Sequence, residues 1–360
     1  MSSKKQSVIV IGAGIIGLAT AYELIKRNMQ VTVIEENEPG WAASHGNAGM
    51  IYPAAGEPMI NPRHVMAGIG WWLTRGSESP FQFSALKLPE LAGWGLRAMG
   101  ACNNRNYERG KKAFQELGAD NLKFYDDYKK DGVEYEEHPG GFLTAFTSKK
   151  AFANLSGAFG QDPSAEILSG DEARQREPFL SERVVGAVQM SEGFTSVHPR
   201  TVCSGLARRI KELGGEIKTG IRVTGATHEH NKISALQTND GVDLEADHFV
   251  LAAGGWSGKL AKILGSSVPI TGGKGYAITI KEPSVSPKQT IFLSEYEAVV
   301  IPFERAVRFT GFLEMSGVNM ELRDRRFKAL EQIVGRYAKQ LPEGKEQERW
   351  TGMRACSPDG

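Results

Sequence analysis

VIVIGAGIIG, residues 8–17, is the stretch that decides the fold. Its first four residues form an unbroken β-branched run, as expected of a strand that is covered on both faces. The run leads directly into three glycines with the spacing Gly12-x-Gly14-x-x-Gly17. Gly12 permits a tight turn, Gly14 lets the backbone approach a pyrophosphate, and Gly17 allows a helix to pack closely on the strand. The stretch therefore predicts a dinucleotide-binding turn between a strand and a helix.

The residues after Gly17 complete a βαβ unit. Apolar residues recur at helical spacing from Leu18 to Ile25, and VTVIE, residues 31–35, predicts a second buried strand that ends in an acid. The predicted helix N-terminus offers its unpaired N–H groups to an anion. Glu35 follows Gly17 by 18 residues, where a carboxylate can accept hydrogen bonds from both ribose hydroxyls and would repel a 2′-phosphate. These residues leave FAD and NAD both open.

Composition argues against several other functions. Lys and Arg number 43 against 42 Asp and Glu, without a basic run of five, so nucleic acid is not an expected partner. The cysteines, Cys102, Cys203 and Cys356, are far apart in sequence, which predicts reduced thiols in a cytosol rather than a disulfide or zinc framework. His228 and His230 have no third ligand nearby, so we expect no metal site. No apolar run approaches the roughly 20 residues of a spanning helix, so we expect a soluble protein.

Two further stretches predict surroundings for a flat cofactor ring. ENEPGWAASHGNAGMIYP, residues 36–53, is small, glycine-rich and without periodicity, so its backbone can pass close to a ring. ADHFVLAAGGWSGKLAKIL, residues 246–264, predicts a buried strand, a glycine turn and a helix. This second βα corner belongs with the first in one sheet, although a long insertion separates them in sequence.

This combination of motifs resembles the FAD-dependent oxidoreductases of the D-amino acid oxidase superfamily and, within it, the bacterial D-amino acid dehydrogenase branch of small-subunit type. The motifs that carry the resemblance are IGAGIIG with Glu35, SHGNAGM (44–50), EGFTSVHP (192–199), LAAGGW (251–256), VPITGGKGYAITI (268–280) and WTGMRACSPDG (350–360). It covers nearly the whole chain, and only the first motif is generic. It implies an α/β chain (α+β overall), with a Rossmann-like FAD-binding domain and an inserted antiparallel-sheet substrate domain.

The resemblance also implies a site for non-covalent FAD. Matched residue by residue, Gly12 to Gly17 are expected to hold the pyrophosphate and Glu35 the adenosine ribose. Ser44 and Asn47 to Met50 are expected to line the flavin side, the Val223 backbone to meet the adenine, and Ala253, Gly254 and Trp256 to lie beneath the diphosphate and the isoalloxazine. The full set of expected cofactor-binding residues is Ile11, Gly12, Ala13, Gly14, Ile15, Ile16, Gly17, Glu35, Glu36, Ser44, His45, Asn47, Ala48, Gly49, Met50, Val223, Ala253, Gly254 and Trp256.

The predicted domains alternate along the chain. Residues 1–60, 196–265 and 346–360 are assigned to the FAD-binding domain, and residues 61–195 and 266–345 to the substrate-binding domain. Within the latter, residues 105–130 predict one amphipathic helix and residues 319–340 another, which Pro342 closes. Residues 274–280, 297–303 and 307–315 predict strands joined by short turns. We expect an antiparallel meander with helices.

The substrate site is expected at the interface between these domains. Arg354, in the stretch R-x-x-x-P-D-G, matches the arginine that binds the substrate carboxylate in the family, although Ala355 stands where proline is usual. A guanidinium suits this task because it offers paired donors in one plane. Tyr276 and Tyr296 are candidates for a hydroxyl contact with substrate, and the alternative for each is a core or rim aromatic. No residue is assigned as a catalytic acid or base.

The resemblance implies oxidation of a D-amino acid at its α-carbon, with hydride passing to flavin N5 and electrons passing on to a quinone or protein carrier. Two alternatives stay open, an oxygen-using glycine or sarcosine oxidase and a noncatalytic FAD- or nucleotide-binding fragment. Trp71, Trp72, Phe81 and Phe83 could allow peripheral contact with the cytoplasmic membrane face, and a packed lid over the pocket is the alternative. The location expected is cytoplasmic. The family pattern further predicts roughly fifty residues beyond Gly360 to close the nucleotide sheet.

Overall fold

The computed structural model describes residues 5–51, 57–84, 87–159, 164–190, 194–230 and 232–360. Two short parts of the predicted motifs, residues 52–53 and 192–193, lie outside these ranges. The helices are α1 (Ile15–Lys26), α2 (Pro62–Arg75), α3 (Leu88–Ala101), α4 (Asn104–Gly118), α5 (Asn121–Lys130), α6 (Lys149–Phe159), α7 (Gly170–Arg176), α8 (Pro199–Glu212), α9 (Ser257–Ile263) and α10 (Asp324–Tyr337).

The first ten strands along the chain are β1 (Ser7–Ile11), β2 (Gln30–Glu35), β3 (Met50–Ile51), β4 (Phe81–Phe83), β5 (Glu137–Pro139), β6 (Phe142–Phe146), β7 (Ala165–Ser169), β8 (Gly186–Met190), β9 (Thr195–Val197) and β10 (Glu216–Thr219). The others are β11 (Val223–Glu229), β12 (Lys232–Thr238), β13 (Asp243–Glu245), β14 (His248–Leu251), β15 (Thr271–Lys281), β16 (Thr290–Leu293), β17 (Ala298–Phe303), β18 (Ala306–Met315) and β19 (Glu346–Cys356).

The predicted βαβ unit lies in a four-stranded parallel sheet with the order β10-β2-β1-β14. Helix α1 begins directly after Gly14 and packs Leu18 and Tyr22 into a core shared with β1 and α8. Both predicted βα corners therefore start from neighbouring strands, because β1 pairs with β14 along its length. The mixed α/β fold class is confirmed.

A nine-stranded sheet forms the second layer, in the order β19-β15-β18-β17-β16-β6-β8-β7, with β4 beside β18. Strands β15 to β18 and β19 form the expected antiparallel ladders, but β16 pairs with β6 in parallel. Helix α10 covers one face with Phe327, Leu330 and Val334, which join the largest buried cluster. The β19 ladder ties residues 346–356 to β15, and the predicted domain boundaries stay a prediction.

Two predicted helices differ in extent from the observed ones. Residues 105–130 form two helices, α4 and α5, because Gly118 and Asp120 are poor helix formers and the chain turns there to pack Tyr128 edge-on against Tyr22. Helix α10 starts at Asp324 instead of residue 319. Asn319 instead closes a loop: its amide donates to the Ser316 carbonyl and its oxygen accepts from a lysine Nζ.

Candidate functional site

The glycine turn after β1 is sterically specified by its neighbours. Gly12 has a φ of +107°, and a Cβ there would lie 2.6 Å from the Ala252 carbonyl oxygen, at the end of β14. A Cβ on Gly17 would lie 1.9 Å from the Gly12 carbonyl oxygen. Gly14 differs, since its φ of −69° is ordinary and a Cβ would meet only Ser44 Oγ at 3.4 Å. Of these three glycines, Gly14 is therefore the one with free space where a Cβ would lie.

Glu35 stands beside this turn at the end of β2. Its Oε2 accepts a 2.8 Å hydrogen bond from the Ala13 N–H, and its Oε1 accepts from the Asn37 N–H at 2.9 Å. Each carboxylate oxygen keeps a lone pair for a further donor. Glu36 points elsewhere, because its exposed carboxylate lies 3.9 Å from Arg222 Nε.

The first turn of α1 leaves N–H groups without intrahelical acceptors. Ser44 Oγ takes one of them, accepting from the Ile15 N–H at 2.9 Å, so the loop that follows β2 is fastened to the helix N-terminus. Ile16 is exposed at this end, while Ile11 and Ala13 are buried in the strand and turn.

The predicted flavin-side loop, residues 44–50, is held by its backbone. Arg308, buried on β18, donates through Nη1 to the carbonyls of His45 at 2.7 Å and Asn47 at 3.2 Å, and through Nε to Thr279 Oγ1 at 2.9 Å. Burial lowers the pKa of the Arg308 guanidinium to about 10, so it stays charged near neutral pH. A single cation thus links the nucleotide end of the chain to the large sheet.

Side chains of this loop pack in different directions. The His45 ring is buried between Trp41 and Trp350, and its Nε2 lies 3.0 Å from a carboxylate oxygen of Glu348. Desolvation lowers the pKa of His45, although Glu348 opposes that shift. His45 therefore faces the sheet, neutral near pH 7. The Asn47 amide oxygen accepts from the Gly49 N–H at 2.7 Å.

The end of the loop joins it to strand β9. Gly49 has a φ of +62°, and a Cβ there would lie 1.9 Å from the Val197 carbonyl oxygen. Ala48 and Met50 pack against the β17 cluster that contains Val299. These contacts fix the path of the backbone between Ser44 and β3.

The second corner meets both layers of the molecule. After β14 the chain passes through Ala253 into a short 3-10 helix, Gly254–Trp256, with Gly254 exposed at a φ of +52°. A Cβ on Gly255 would lie 3.0 Å from Met353 Cβ and 3.4 Å from the Arg354 carbonyl oxygen. The corner therefore lies against β19. Val223, at the start of β11, is buried in the neighbouring small cluster.

Arg354 projects from β19 towards the same region. Trp350, Gly352 and Arg354 alternate along one face of β19, and a Cβ on Gly352 would lie 3.1 Å from Ala43 Cα. Arg354 is exposed to solvent, although nearby protein desolvates the guanidinium and lowers its pKa. Together these facts describe an exposed side chain whose guanidinium lies close to the surrounding protein. Among the described residues, no carboxylate oxygen lies within the 4.0 Å of an ion pair with it.

The two tyrosine candidates lie elsewhere. Tyr276 is 1% exposed in the large core, and its hydroxyl donates to Glu314 Oε2 at 3.0 Å, on the face of the sheet opposite Arg354. This placement leaves it no hydroxyl for a substrate contact. Tyr296 accepts a 2.6 Å hydrogen bond from Arg336 and packs against Arg75. It behaves as a rim aromatic.

A cavity of about 600 Å³ opens on the Tyr276 side of the sheet, lined in part by Gln82, Glu314 and Arg323. Buried Lys274 lies 3.7 Å from Glu314, and Arg323 lies 2.9 Å from the same carboxylate. The charges on this face are therefore paired within the protein, unlike that of Arg354.

The chain belongs to the family of FAD dependent oxidoreductases (DAO), which it matches over residues 7–360, and FAD is its cofactor. Glycine oxidase from Bacillus cereus is similar in structure, with a TM-score of 0.68 and 20% identity over 98% of this chain and 84% of that one. L-proline dehydrogenase from P. horikoshii gives 0.67 and 17% over 99% and 83%. L-alpha-glycerophosphate oxidase from Mycoplasma pneumoniae, with FAD bound, gives 0.66 and 15% over 99% and 85%. At these identities the likeness shows the fold.

Several residues that shape the site were missed from the sequence. Arg308 gave no signal, because its acceptors are backbone carbonyls more than 260 positions away. Gly275, which lies beneath Arg354, did give one: glycines inside a strand, as in TGGKGY, mark the close approach of another group.

Proposed function

We propose that this chain oxidises a D-amino acid at its α-carbon, with hydride passing to the N5 of bound FAD, and hands the electrons to a quinone or protein carrier. FAD supplies the hydride acceptor, and the protein supplies placement. In this proposal Gly12–Gly17 and Glu35 hold the pyrophosphate and ribose, and residues 44–50 with Ala253–Trp256 line the ring. The open space at Gly14 and the free lone pairs of Glu35 support that assignment.

The observation that carries the proposal is that, in the part of the chain that the structure describes, no carboxylate forms an ion pair with Arg354. Arg354 is exposed at the sheet surface, and the planar donors of its guanidinium match a carboxylate. Arg354 uses Nη1 to bond the Phe312 carbonyl at 2.8 Å, which leaves most of its five N–H donors for a ligand. In this proposal an amino-acid carboxylate supplies the opposite charge, and its contact with the guanidinium fixes the position of the α-carbon.

Catalysis then rests on orientation, with no strong base. Near the loop, Glu348 is bonded to His45, and Arg308 is bonded to backbone carbonyls. Holding the reacting carbon close to its acceptor can supply several kcal/mol, on the order of 7–11 at best. The substrate amine needs only to be neutral when hydride leaves.

Replacing Arg354 tests the anchor. We expect Arg354→Ala to lose about 2–5 kcal/mol of carboxylate recognition, which is a fall in kcat/KM of about 30-fold or more. Arg349→Ala is the matched control, because Arg349 lies on the same strand but forms ion pairs with Asp324 and Glu331. Equal turnover by the two variants would remove Arg354 from the site.

A substrate screen tests the reaction. The FAD-loaded protein would be mixed without oxygen with D- and L-amino acids, glycine and sarcosine, while the yellow flavin absorbance is followed. Bleaching by D-amino acids, and no peroxide after air is admitted, is the expected result. Peroxide would instead favour a glycine- or sarcosine-type oxidase. Bleaching by L-amino acids alone would refute the enantiomer, and no bleaching would leave a noncatalytic FAD-binding chain.

The acceptor part of the proposal is supported by an apolar surface on α2 and α3. The two helices pack on β4, with Trp72 against Phe83 and Trp94 in the Phe81 cluster, yet α2 exposes Met66, Ile69 and Leu73 and α3 exposes Leu96 and Met99. Together the helices carry three arginines against one glutamate. A face of this kind suits the boundary of an anionic bilayer, where a quinone is reached. Among the described residues, no helix is long and apolar enough to cross a membrane.

Vesicle flotation checks this surface. We expect the protein to float with phosphatidylcholine vesicles that contain phosphatidylglycerol, and Leu73→Glu to weaken this binding. Ile263→Glu, on exposed α9 away from this surface, should not weaken it. An absence of flotation with either lipid mixture would end the membrane proposal and leave a water-borne carrier as acceptor.

A further inference from the structure

The strand β18 carries a bulge opposite Arg354. Lys274 on β15 pairs with Glu314, and Tyr276 pairs with Gly311, so Gly275 alone faces two residues, Phe312 and Leu313. The additional residue is Phe312, whose φ of +68° is left-handed. Such a conformation costs a bulky side chain on the order of 1–3 kcal/mol and persists only where its surroundings enforce it. A bulge turns a carbonyl out of the ladder, and the Phe312 carbonyl accepts from Arg354 Nη1.

The side chain of Phe312 is fixed from the other face. Its ring is 3% exposed, and the guanidinium of Arg326 lies 3.7 Å from the ring centroid. Arg326 is itself buried and donates to the Ser79 carbonyl through both terminal nitrogens at 3.1 Å. The strained backbone is therefore held on one face by a buried cation and presents its carbonyl on the other.

Gly275 supplies the floor beneath the guanidinium. A Cβ there would lie 2.6 Å from Nη1, 3.1 Å from Cζ and 3.2 Å from Nη2 of Arg354. Three close approaches mean that the guanidinium rests over the Gly275 backbone. Any side chain at position 275 would push Nη1 back by about 0.8 Å to reach the 3.4 Å of ordinary contact, and away from the Phe312 carbonyl.

We propose that Gly275 and the Phe312 bulge position the Arg354 guanidinium, and through it the carboxylate of the substrate. This inference rests on the proposed function, in which Arg354 is the carboxylate anchor. Gly275 and Phe312 act as positioning residues, since Gly275 sets the height of the guanidinium and the Phe312 carbonyl sets its rotation. The donors not used by the Phe312 carbonyl are then available for a carboxylate, which a guanidinium can bind by two parallel hydrogen bonds.

The decisive variant is Gly275→Ala, with Gly273→Ala as its control. Both glycines lie on β15 and face the same side, but a Cβ on Gly273 would meet Leu313 at 2.4 Å and Cys356 Sγ at 2.7 Å instead of Arg354. We expect both variants to fold and to bind FAD alike. Gly275→Ala should lower kcat/KM about 10- to 100-fold, mainly through KM, because misplacement by nearly 1 Å spoils a bidentate contact. The control should change it less than about 3-fold.

A binding measurement separates positioning from general damage. Acetate and its neutral analogue acetamide would be titrated by perturbation of the flavin spectrum. We expect Gly275→Ala to weaken acetate and leave acetamide unchanged. In an Arg354→Ala background, Gly275→Ala should change acetate binding and turnover less than about 2-fold further, because the two residues act through one group.

The outcomes are distinguishable. If Arg354→Ala keeps wild-type acetate binding and turnover, the proposed function fails. If Arg354→Ala loses both while Gly275→Ala does not, only the positioning role is overturned. Additive effects in the double variant overturn it as well. Failure of Gly275→Ala to fold would also overturn the positioning role, because the flexible Arg354 side chain should move aside before the backbone is disrupted.

Discussion

The second glycine of the β1–α1 turn allows the nucleotide assignment to be tested without disturbing the fold. We expect Gly14→Ala to preserve the FAD-free protein and to weaken FAD. The φ of −69° suits alanine, and the added Cβ would lie in ordinary contact, 3.4 Å from Ser44 Oγ. Alanine restricts the unfolded chain but is less favourable than glycine at this helix N-cap, so the two effects oppose and the free energy of unfolding should change by less than about 1 kcal/mol. Nothing inside the protein therefore requires glycine at this position.

The substitution is expected to weaken FAD binding instead of the fold. A methyl group at residue 14 would hold a pyrophosphate away from the first N–H groups of α1, and each such hydrogen bond to a charged oxygen contributes about 1.5–3 kcal/mol. Losing one predicts FAD affinity about 10- to 100-fold weaker. FAD would be removed, the affinity measured by quenching of flavin fluorescence on titration, and the stability of the FAD-free protein measured by urea unfolding.

Gly17→Ala is the matched comparison. Its Cβ would overlap the Gly12 carbonyl oxygen at 1.9 Å, so the backbone itself must move, and we expect about 3 kcal/mol or more of destabilisation before any ligand is added. Wild-type FAD affinity in Gly14→Ala would refute the placement of the pyrophosphate at α1. Equal stability of the two alanine variants would contradict the packing of α1 on β1.

Two further predictions concern the buried cations and histidines behind the loop. Arg308→Met should weaken FAD binding about 10-fold or more, because the carbonyls of His45 and Asn47 lose their hydrogen-bond donor. The loss of unfolding free energy should be smaller, because the substitution also removes a buried charge. FAD titration compared with urea unfolding checks this prediction, and an unaltered FAD affinity would contradict it. Burial and the nearby Arg308 lower the pKa of His198 to about 4, so between pH 6.5 and pH 4 this histidine is protonated in the unfolded chain but neutral in the folded chain. As the pH falls through that range, the free energy of unfolding should therefore fall by roughly 1–3 kcal/mol. The fall should be smaller in His198→Gln, and parallel pH profiles of the two proteins would refute this prediction.

The βαβ unit of the parallel sheet could be predicted from the sequence because the residues that indicate it lie close together in the chain. The run from Val8 to Ile11, the glycine spacing and the acid at position 35 lie within 30 residues, and each follows from backbone sterics or strand burial. The same reasoning failed for residues 105–130, where an unbroken helical pattern hides a turn. That turn is set by the packing of Tyr128 on Tyr22, a contact that periodicity alone does not contain.

The surroundings of the proposed substrate anchor depend on the register of the strands in the large sheet, which the sequence does not reveal. Arg354 was predicted by motif, but its surroundings come from β15 and β18, which lie 79 and 42 positions earlier at Gly275 and Phe312. A shift of one residue in the ladder between β15 and β19 would place Lys274 or Tyr276 under the guanidinium. The bulge at Phe312 hides the register from the alternation pattern, because β18 advances by three residues from Gly311 to Glu314 while β15 advances by two from Lys274 to Tyr276.

The alternation of β15 also explains why Arg354 lies apart from the ion pairs on the other face of the sheet. Lys274 and Tyr276 point to the face covered by α10, where Glu314 neutralises Lys274 and Arg323. Gly275, between them, points the other way and makes room for Arg354. A carboxylate such as Glu314 on the Arg354 face would accept hydrogen bonds from the same donors that a substrate carboxylate needs. Among the described residues, the sheet thus separates ion pairs on one face from Arg354 on the other, and an anion should raise the thermal stability of the wild type more than that of Arg354→Ala.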